Sequence, residues 1–466
     1  MSELRLTARS VAEAMGGALV SGSESRELSG VSIDSRTVQA GELYVALRGD
    51  RFDGAEFAAS AIDAGAGGVV VPRGRGPGVD RGPAVVIEVD DTLDALQALA
   101  HRVRRESGTR VVAITGSAGK TTTKEVTAEF LSAKYRVIRN HGNLNNHIGL
   151  PLSLIELRRR PEIAVVELGM NHAGEISRLV RIAEPDVRVW TNVGEAHLGF
   201  FGSIDDIAEA KAEILEEATT SMILVANADD ERVAARASSF AGRVVTFGIE
   251  RPAEVRASAI VDRGIEGTSA RVTTVHGTFD VKTPLLGRGN LSNVLAATAV
   301  ALQFDVPLDA IADRATRLRP AAHRGEVIRL PTLTVIDDSY NANPTATRTA
   351  LGVLAGDVRA SRRVAVLGDM LELGDHAMAL HEEVGRAVAA ANVEVLVAIG
   401  GDLAAALARS AVAAGLPRSA VHHFQTSEEA ADAVAEIVRP GDVVLVKGSR
   451  SVHTDRVVER LKAEQA

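Results

Sequence analysis

Short apolar runs rich in valine and alanine alternate with stretches of helical periodicity along most of this 466-residue chain. Apolar runs bounded by glycine and polar residues predict buried strands of parallel sheets, and the stretches between them predict connecting helices. This alternation predicts an α/β fold of layered sheets and helices. At roughly 150 residues per domain the length indicates about three domains, which we place at residues 1–107, 108–318 and 319–466.

The organising stretch is residues 111–125, where a glycine loop joins an apolar β-branched run to a helical pattern. In this context a loop that ends in Lys-Thr binds phosphate, because N–H groups of the loop and the helix start face the anion. Lys120 could reach the terminal phosphates and Thr121 could ligate Mg²⁺. Ile114 replaces the first glycine of the usual loop, and a glycine turn with a surface lysine is the alternative. The predicted nucleotide-binding residues are Gly116, Ser117, Ala118, Gly119, Lys120, Thr121 and Thr122.

Two polar residues stand at or just past the ends of predicted strands in the middle segment. The apolar run Ile163–Val166 is followed by Glu167, and Val187–Thr191 leads through a short loop to His197. Sites in open parallel sheets lie at the carboxyl ends of strands, so these two residues and Thr121 could hold a divalent metal that bridges nucleotide phosphates. Taken singly, they are a solvated strand end and a loop histidine, but their joint placement favours the metal site.

Lys211 occupies an unusual place in a predicted helix over Ile204–Glu217. At about 100° per residue it falls within the apolar stripe, while acidic residues occupy the opposite face. A lysine on a buried face requires an anion beside it or the loss of its charge. One solution is a carbamate formed from the neutral amine and CO₂, which would be an anionic metal ligand. The alternative is a lysine whose stem packs while its charged end reaches solvent.

The third segment alternates strands and helices in a doubly wound, Rossmann-like pattern, with a helix predicted at Ala377–Ala390 and a strand at Val395–Ile399. Polar clusters follow three of its predicted strands, at Asp337–Pro344, Gly368–Gly374 and Lys447–Arg450. One such cluster is ordinary loop chemistry. Three at the same edge of a small domain indicate a site.

Two further places leave alternatives open. Ser35 and Arg36 follow a short strand and could grip a phosphate, although the residues alone favour a solvated turn. An alanine-rich helix is predicted over Val294–Leu302, with Asn290 as an N-cap and Asn293 as a possible reader of an adenine edge.

Composition narrows the class of protein. The chain has 52 Lys and Arg against 61 Asp and Glu, and the net charge of −9 argues against nucleic-acid partners and anionic membrane surfaces. It contains no cysteine, which excludes disulfides and thiolate metal sites. We find neither the apolar core of a signal peptide nor a run long enough to span a bilayer. We therefore expect a soluble cytoplasmic protein.

The motifs together resemble those of the Mur ligases, the ATP-dependent amide-bond-forming enzymes of peptidoglycan precursor synthesis. They keep their order through all three predicted domains. One departure is Gly289, because the family usually has a histidine before Asn290. The motifs that carry the resemblance are Thr115-Gly116-x-x-Gly119-Lys120-Thr121, residues 143–151, Glu167-Leu168-Gly169, His197, Lys211, Asp338-Ser339-Tyr340-Asn341-Ala342-Asn343-Pro344, residues 367–374 and Lys447-Gly448-Ser449.

The resemblance implies a small α/β domain that holds the uridine diphosphate part near Ser35 and Arg36, a central P-loop-type ATPase domain with a mainly parallel sheet, and a Rossmann-like domain that closes over the nucleotide. It implies catalytic roles for Lys120, Glu167, His197 and Lys211. Two Mg²⁺ ions are implied, one on Thr121 and Glu167 and one on His197 and a carbamylated Lys211. Asn293, Arg324, Asp338, Tyr340 and Asn341 would contact ATP, and Asn143, Asn145, Asn146, Asp369 and Lys447 would contact the substrates.

The substrates implied by the tyrosine-asparagine run and the Asp-Met-Leu-Glu-Leu-Gly run are UDP-N-acetylmuramoyl-tripeptide and D-alanyl-D-alanine, and we expect a monomer. One alternative is the ligase that adds the third amino acid, but its usual Asp-Asn-Pro-Arg run is absent. A second is a ligase like folylpolyglutamate synthase, against which the domain around Asp34-Ser35-Arg36 argues. A nucleotide-gated binding module is the non-enzyme alternative, and the joint presence of Lys120, Glu167, His197 and Lys211 argues against it.

Overall fold

The structure is a computed structural model that describes residues 3–49, 51–76, 83–140, 142–357 and 360–465. Up to residue 107 the elements are β1 (Leu6–Thr7), α1 (Ala8–Ala14), β2 (Ala18–Ser21), β3 (Glu27–Leu28), β4 (Val31–Ser32), β5 (Leu43–Val45), α2 (Ala58–Asp63), β6 (Gly68–Pro72), β7 (Val85–Val89) and α3 (Thr92–Ser107).

From residue 108 to residue 318 strands and helices alternate before a small antiparallel stretch. The elements are β8 (Arg110–Thr115), α4 (Lys120–Leu131), β9 (Val137–Arg139), α5 (Gly149–Ile155), β10 (Ile163–Glu167), α6 (Glu175–Ala183), β11 (Val187–Trp190), α7 (Ile204–Ala212), β12 (Ile223–Asn227), α8 (Glu231–Ala237), β13 (Arg243–Gly248), β14 (Val255–Asp262), β15 (Thr268–Thr274), β16 (Gly277–Thr283), α9 (Gly287–Gln303) and α10 (Leu308–Ala315).

The remaining residues alternate strand and helix to the end of the chain. The elements are β17 (Glu326–Arg329), β18 (Thr334–Asp338), α11 (Pro344–Gly356), β19 (Arg362–Gly368), α12 (Ala377–Ala390), β20 (Val395–Ile399), α13 (Asp402–Ala413), β21 (Val421–Phe424), α14 (Ser427–Ile437), β22 (Asp442–Lys447) and α15 (Asp455–Glu464).

Contacts divide the chain into two compact units. The first comprises Met1–Ile114, Tyr135–Arg188 and Glu216–Met222, and the second comprises Thr115–Lys134, Val189–Leu215 and Ile223–Ala466. In the first unit, β4, β5, β6 and β7 run parallel, and β2 joins β7 in the antiparallel sense. Strand β10 pairs in parallel with both β8 and β9 in the same unit.

In the second unit, β12, β13 and β14 pair in parallel, and β14, β15 and β16 continue as an antiparallel meander. The C-terminal sheet of this unit has the order β17-β18-β22-β19-β20-β21, and only its edge strand β17 is antiparallel. Valine side chains of these strands and Ile399 pack against alanine, valine and leucine side chains of α14 and α15 in one buried core. The predicted α/β class is therefore confirmed, including the mainly parallel sheets.

Two local predictions are wrong. The helix predicted over Ile204–Glu217 is α-helical only to Ala212, and a 3₁₀ turn continues it to Leu215. Helix α9 begins at Gly287, with Leu286 as its N-cap, so Asn290 lies within its first turn. There the Asn290 side chain donates a hydrogen bond to the carbonyl of Leu286 (2.9 Å), four residues earlier, as polar side chains inside a helix commonly do. Helix Ala377–Ala390 and strand Val395–Ile399 lie as predicted.

Candidate active site

The glycine loop between β8 and α4 is braced by residues that follow β11. The backbone N–H of Ala118 donates to the Asn192 side chain (2.8 Å), and that of Ser117 donates to the Asn192 carbonyl (3.0 Å). The Thr191 hydroxyl donates to the Ala118 carbonyl (2.8 Å). Two loop N–H groups are thus satisfied within the protein, and the helix start and Lys120 offer the positive charge that an anion would meet.

Both loop glycines are required by close approaches. Gly116 has φ +150°, and a Cβ there would overlap the Thr191 hydroxyl. Gly119, the residue before α4, has φ +79°, and its missing Cβ makes room for the amide of Asn293. Asn293 also accepts a hydrogen bond from the Thr123 hydroxyl (3.2 Å). Its amide nitrogen donates to Oδ1 of Asn290 in its own helix (3.2 Å), and contact with adenine stays a prediction.

Lys120 is the first residue of α4, and its ammonium donates to the carbonyl of Gly116 (2.8 Å). Thr121 and Thr122 follow in the first turn and are half-buried. This geometry holds the lysine across the mouth of the loop, where it could transfer its hydrogen bond from the carbonyl to a phosphate oxygen.

In the first unit, Glu167 ends β10 with 3% of its surface exposed. The Asn145 amide donates to Glu167 Oε1 (2.8 Å), and the Asn140 side chain accepts from the Glu167 backbone N–H (3.1 Å). Asn146 accepts from the backbone N–H of Gly149 (2.8 Å) at the start of α5, whereas Asn143 is exposed. Asn145 thus positions a carboxylate and Asn146 accepts backbone N–H groups in the turn before α5, which are roles that the resemblance did not imply.

His197 lies against the polar cluster Gly368–Gly374, which follows β19. Its Nδ1 is 2.7 Å from Oε2 of Glu372, although the angle falls short of a well-formed hydrogen bond. The contact with His197 holds the pKa of Glu372 below its ordinary value, against an opposing effect of burial. The Gly199 N–H donates to the Glu372 carbonyl (2.7 Å) beside this pair. His197 and Glu372 both have left-handed backbone conformations, with φ +65° and +64°.

Lys211 is 1% exposed on α7, among the buried residues Ile207, Ala208 and Ala210. The predicted buried placement of this lysine is therefore confirmed. The alternative in which its charged end reaches solvent is wrong, because too little of the side chain is accessible. A fully buried ammonium is destabilised unless it is compensated or neutralised, which is the condition under which an amine reacts with CO₂.

The three polar clusters of the C-terminal sheet follow β18, β22 and β19, which are neighbouring parallel strands. Their predicted placement at one edge is confirmed. The ammonium of Lys447 is 2.6 Å from Oδ2 of Asp338 and donates to the carbonyl of Asn341 (2.9 Å). Ser449 donates its backbone N–H to the carbonyl of Asp369 (3.1 Å), which ties the β22 and β19 clusters together.

Two of the predicted ligand-binding residues at this sheet edge, Tyr340 and Asp369, have defined neighbours in the structure. The guanidinium of Arg324 lies 4.1 Å from the ring centre of Tyr340, and that of Arg450 lies 5.9 Å away. This places a planar cationic surface next to a half-buried aromatic ring. The Asp369 carboxylate accepts from the N–H of Gly401 (3.2 Å) at the start of α13.

Ser35 and Arg36 lie in an exposed turn of the first unit. Arg36 donates through Nε and Nη2 to the two oxygens of Asp34, at 2.9 and 2.6 Å. These hydrogen bonds lower the pKa of Asp34 to about 2. The structure therefore presents the exposed turn that the residues alone favoured, and the phosphate contact stays a prediction.

The predicted metal ligands differ in the kind of cation that each suits. Within the described ranges, no group of three or more His, Asp or Glu side chains is placed to hold a metal ion. A hydroxyl such as Thr121 and a carboxylate such as Glu167 suit Mg²⁺ by type, and phosphate oxygens would complete its shell. Imidazole is a softer ligand, so His197 fits a hard cation best beside an anionic oxygen such as a carbamate.

Several residues at this site were not among the predicted site residues. Thr191 and Asn192 brace the glycine loop, and Glu195 contacts Thr345 and Arg348 of α11. The segment that contains Thr191, Asn192 and Glu195 was visible as the link between a strand and His197. Helix α11 escaped prediction, although Asn343 and Pro344 are an ordinary N-cap and first helical residue.

Comparisons with known proteins agree with this geometry. Three family models match: "Mur ligase family, catalytic domain" at residues 27–104, "Mur ligase middle domain" at 114–301 and "Mur ligase, glutamate ligase domain" at 323–450. The chain is 34% identical over 460 residues to the UDP-N-acetylmuramoyl-tripeptide--D-alanyl-D-alanine ligase of Bacillus subtilis, with 98% of each chain covered.

Solved structures show the same relationship. A crystal structure of MurF from Acinetobacter baumannii has a TM-score of 0.89 at 31% identity and covers 99% of this chain and 100% of its own. MurF from Thermotoga maritima, solved in complex with ADP, has a TM-score of 0.82 at 30% identity, with 94% and 97% covered. A Mycobacterium tuberculosis folylpolyglutamate synthase shares the fold, with a TM-score of 0.64, at 18% identity over 79% of this chain and 94% of its own.

The fold and the phosphate loop define an ATP-dependent ligase that forms amide bonds. The chain belongs to the Mur ligase family. None of the described helices is long and apolar enough to cross a membrane.

Proposed function

We propose that this chain joins D-alanyl-D-alanine to the terminal carboxylate of UDP-N-acetylmuramoyl-tripeptide and so makes the UDP-linked pentapeptide of peptidoglycan synthesis. The observation that carries the proposal is the near-complete match to ligases of that name, at 34% identity over 98% of the chain. The braced phosphate loop and the three polar clusters at one sheet edge supply the chemistry that such a reaction needs.

A carboxylate does not acylate an amine at neutral pH unless it first gains a good leaving group. The tripeptide carboxylate attacks the γ-phosphorus of ATP, so that a carboxyl oxygen–phosphorus bond forms and the bond to ADP breaks. The amine of D-alanyl-D-alanine then attacks the acyl carbon, loses a proton, and expels inorganic phosphate. Catalysis of such steps consists mostly of positioning and charge neutralisation.

Lys120 would neutralise charge on the transferring phosphoryl group, and the hydrogen bond of its ammonium to the carbonyl of Gly116 in the glycine loop supports this role. Thr121 and Glu167 would hold one Mg²⁺, and His197 with a carbamylated Lys211 would hold a second. When bound, these ions would neutralise phosphate charge and orient the reacting oxygens. Glu167 is preorganised for this by Asn145, which donates to one of its two oxygens.

The C-terminal residues offer contacts for nucleotide and amine. Arg324 and Tyr340 form a cationic and aromatic surface that suits ATP, and Asn293 contacts the glycine loop and α4. Asp338, Asn341 and Lys447 form a connected polar group, with Asp369 beside the neighbouring strand. Exclusion of water from such a site protects the acyl phosphate from hydrolysis.

The substrates of the proposed reaction indicate the cellular compartment in which the enzyme works. A nucleotide-linked peptide and ATP are cytoplasmic metabolites, so we place the activity in the cytoplasm. We propose a monomer that acts on small substrates, with Ser35 and Arg36 near the uridine diphosphate part.

A comparison of amine acceptors tests the proposal. Purified enzyme with ATP, Mg²⁺ and the UDP-linked tripeptide should release phosphate with D-alanyl-D-alanine and not with a free diamino acid, and mass spectrometry should detect the UDP-linked pentapeptide. Turnover with a free diamino acid on the UDP-linked dipeptide would identify the preceding ligase instead. Turnover with a folate and glutamate would identify the folate-type ligase.

A further inference from the structure

The segment from Thr191 to Gly199, which we call the bridging segment, contacts the phosphate loop on one side and C-terminal residues on the other. All these residues belong to the second compact unit. On the loop side, the Gly194 N–H donates to the hydroxyl of Ser117 (2.9 Å), and this hydroxyl donates to the Gly194 carbonyl (3.1 Å). With the Asn192 bonds to Ser117 and Ala118, the bridging segment fixes half of the loop.

On the other side, Glu195 is the point of attachment. Its carboxylate accepts hydrogen bonds from the Thr345 hydroxyl and from Nη2 of Arg348 (2.8 Å), both in the first two turns of α11. The Glu195 side chain is only 15% exposed. Two donors from α11 therefore meet a carboxylate that is largely removed from solvent.

The second contact of α11 reinforces this geometry. Gly194, one residue before Glu195, packs so closely on Thr345 that a Cβ at position 194 would lie 3.0 Å from its hydroxyl. The chain of contacts from Arg348 to Ser117 therefore passes through two adjacent residues, Glu195 and Gly194. Because protein interiors are densely packed, a displacement of Arg348 would be transmitted to Ser117 through this short connection.

We propose that Glu195 is a positioning residue that ties the start of α11 to the geometry of the phosphate loop. This inference rests on the proposed function for the reaction that the loop serves. The expected effect on nucleotide binding does not depend on which amine is the acceptor. When Arg348 and Thr345 hold Glu195, Gly194 keeps its two hydrogen bonds with Ser117 and the loop keeps its conformation. When they do not, the loop loses the support of Gly194 and keeps only the contacts of Thr191 and Asn192.

The test uses Glu195→Gln, which keeps the shape and removes the charge, in the full-length chain. The matched control is Glu383→Gln. Glu383 pairs with the other terminal nitrogen of Arg348 (Nη1, 3.0 Å), is exposed, and has no part in the bridging segment. Each variant is measured for its thermal midpoint, for kcat and KM with ATP, and for affinity of a non-hydrolysable ATP analogue by calorimetry.

Glu195→Gln should weaken analogue binding and lower kcat/KM for ATP by about tenfold, the size expected for loss of one charged hydrogen bond. Glu383→Gln should match the wild type, and KM for D-alanyl-D-alanine should change little in either variant. A merely structural role for Glu195 predicts a lower thermal midpoint with unchanged kinetics of the folded enzyme. That result, or equal losses in the two variants, would overturn the proposal.

A second variant tests the connection itself. Arg348→Met should reproduce the kinetic loss, and the double variant with Glu195→Gln should be no worse than the more damaged single variant, because both break one connection. Losses that multiply in the double variant would contradict the proposal. If wild-type enzyme binds the ATP analogue but does not use D-alanyl-D-alanine, the proposed function fails while the role of Glu195 is still decided by calorimetry.

Discussion

Gly116→Ala is the sharpest test of the phosphate loop. A methyl group at this position would overlap the hydroxyl of Thr191 and lie 3.2 Å from the Thr191 Cβ and from the backbone nitrogen of Asn192. These atoms are the braces of the loop, and they cannot yield without breaking the hydrogen bond from Thr191 to Ala118 (2.8 Å). The glycine also has φ +150°, where an L side chain adds backbone strain.

The magnitude follows from the displacement. Relief of the overlap requires the loop or Thr191 to move by about 1 Å, and a misplacement of about 1 Å near the reacting groups can lower a rate about 100-fold. We therefore expect kcat/KM for ATP to fall about 100-fold. The free energy of unfolding should fall by about 2 kcal/mol, from about 1 kcal/mol of backbone strain and about 1 kcal/mol for the lost hydrogen bond.

Gly415→Ala is the matched control, because Gly415 also has a positive φ (+112°) but nothing lies within 4 Å of the added Cβ. Phosphate release at varied ATP concentration and calorimetry with an ATP analogue would be compared for the two variants. The control should lose some stability and keep wild-type kinetics. Wild-type ATP kinetics in Gly116→Ala would refute the account of the loop.

Substitutions at four further residues have separate expected outcomes. Lys120→Met should abolish phosphate release in folded protein, and a wild-type rate would remove the loop from the mechanism. Lys211→Ala should nearly abolish turnover, with partial rescue by a short carboxylic acid that replaces the carbamate, and full activity without rescue would contradict the ligand role. Arg36→Ala should raise KM for the UDP-linked substrate and leave KM for ATP unchanged, whereas the reverse pattern would contradict its assignment. Tyr340→Leu should raise KM for ATP about twofold to fivefold, because the stack with Arg324 is lost. Tyr340→Phe keeps the ring and should match the wild type. An equal effect in both variants would contradict the stacking.

The predictable features are those that arise from local pattern. The strand before Gly116 and the helix after it follow from a β-branched run and a Lys-Thr helix start, and the buried position of Lys211 follows from the period of its helix. The three clusters at one edge follow from the rule that strand ends in a doubly wound sheet share an edge.

The features that escaped prediction arise from packing between distant segments. Nothing local to Glu195 indicates that Thr345 and Arg348 will hold it, since the pairs are 150 and 153 residues apart. The role of Asn145 was not predictable for the same reason. Its hydrogen bond to Glu167 depends on how its loop packs against the end of β10, 22 residues later in the chain. The start of α9 at Gly287 was also not predicted. Gly287 and Gly289 weaken the helical pattern of the sequence there, whereas tertiary packing keeps this first turn helical.

The most direct test of the central claim follows one oxygen atom. The terminal carboxylate of the UDP-linked tripeptide is labelled with ¹⁸O, the enzyme turns over with ATP and D-alanyl-D-alanine, and the released phosphate is analysed by mass spectrometry. An acyl phosphate intermediate predicts one labelled oxygen in each phosphate formed from fully labelled substrate, together with the UDP-linked pentapeptide. Phosphate without label would contradict carboxylate activation by ATP and with it the proposed reaction.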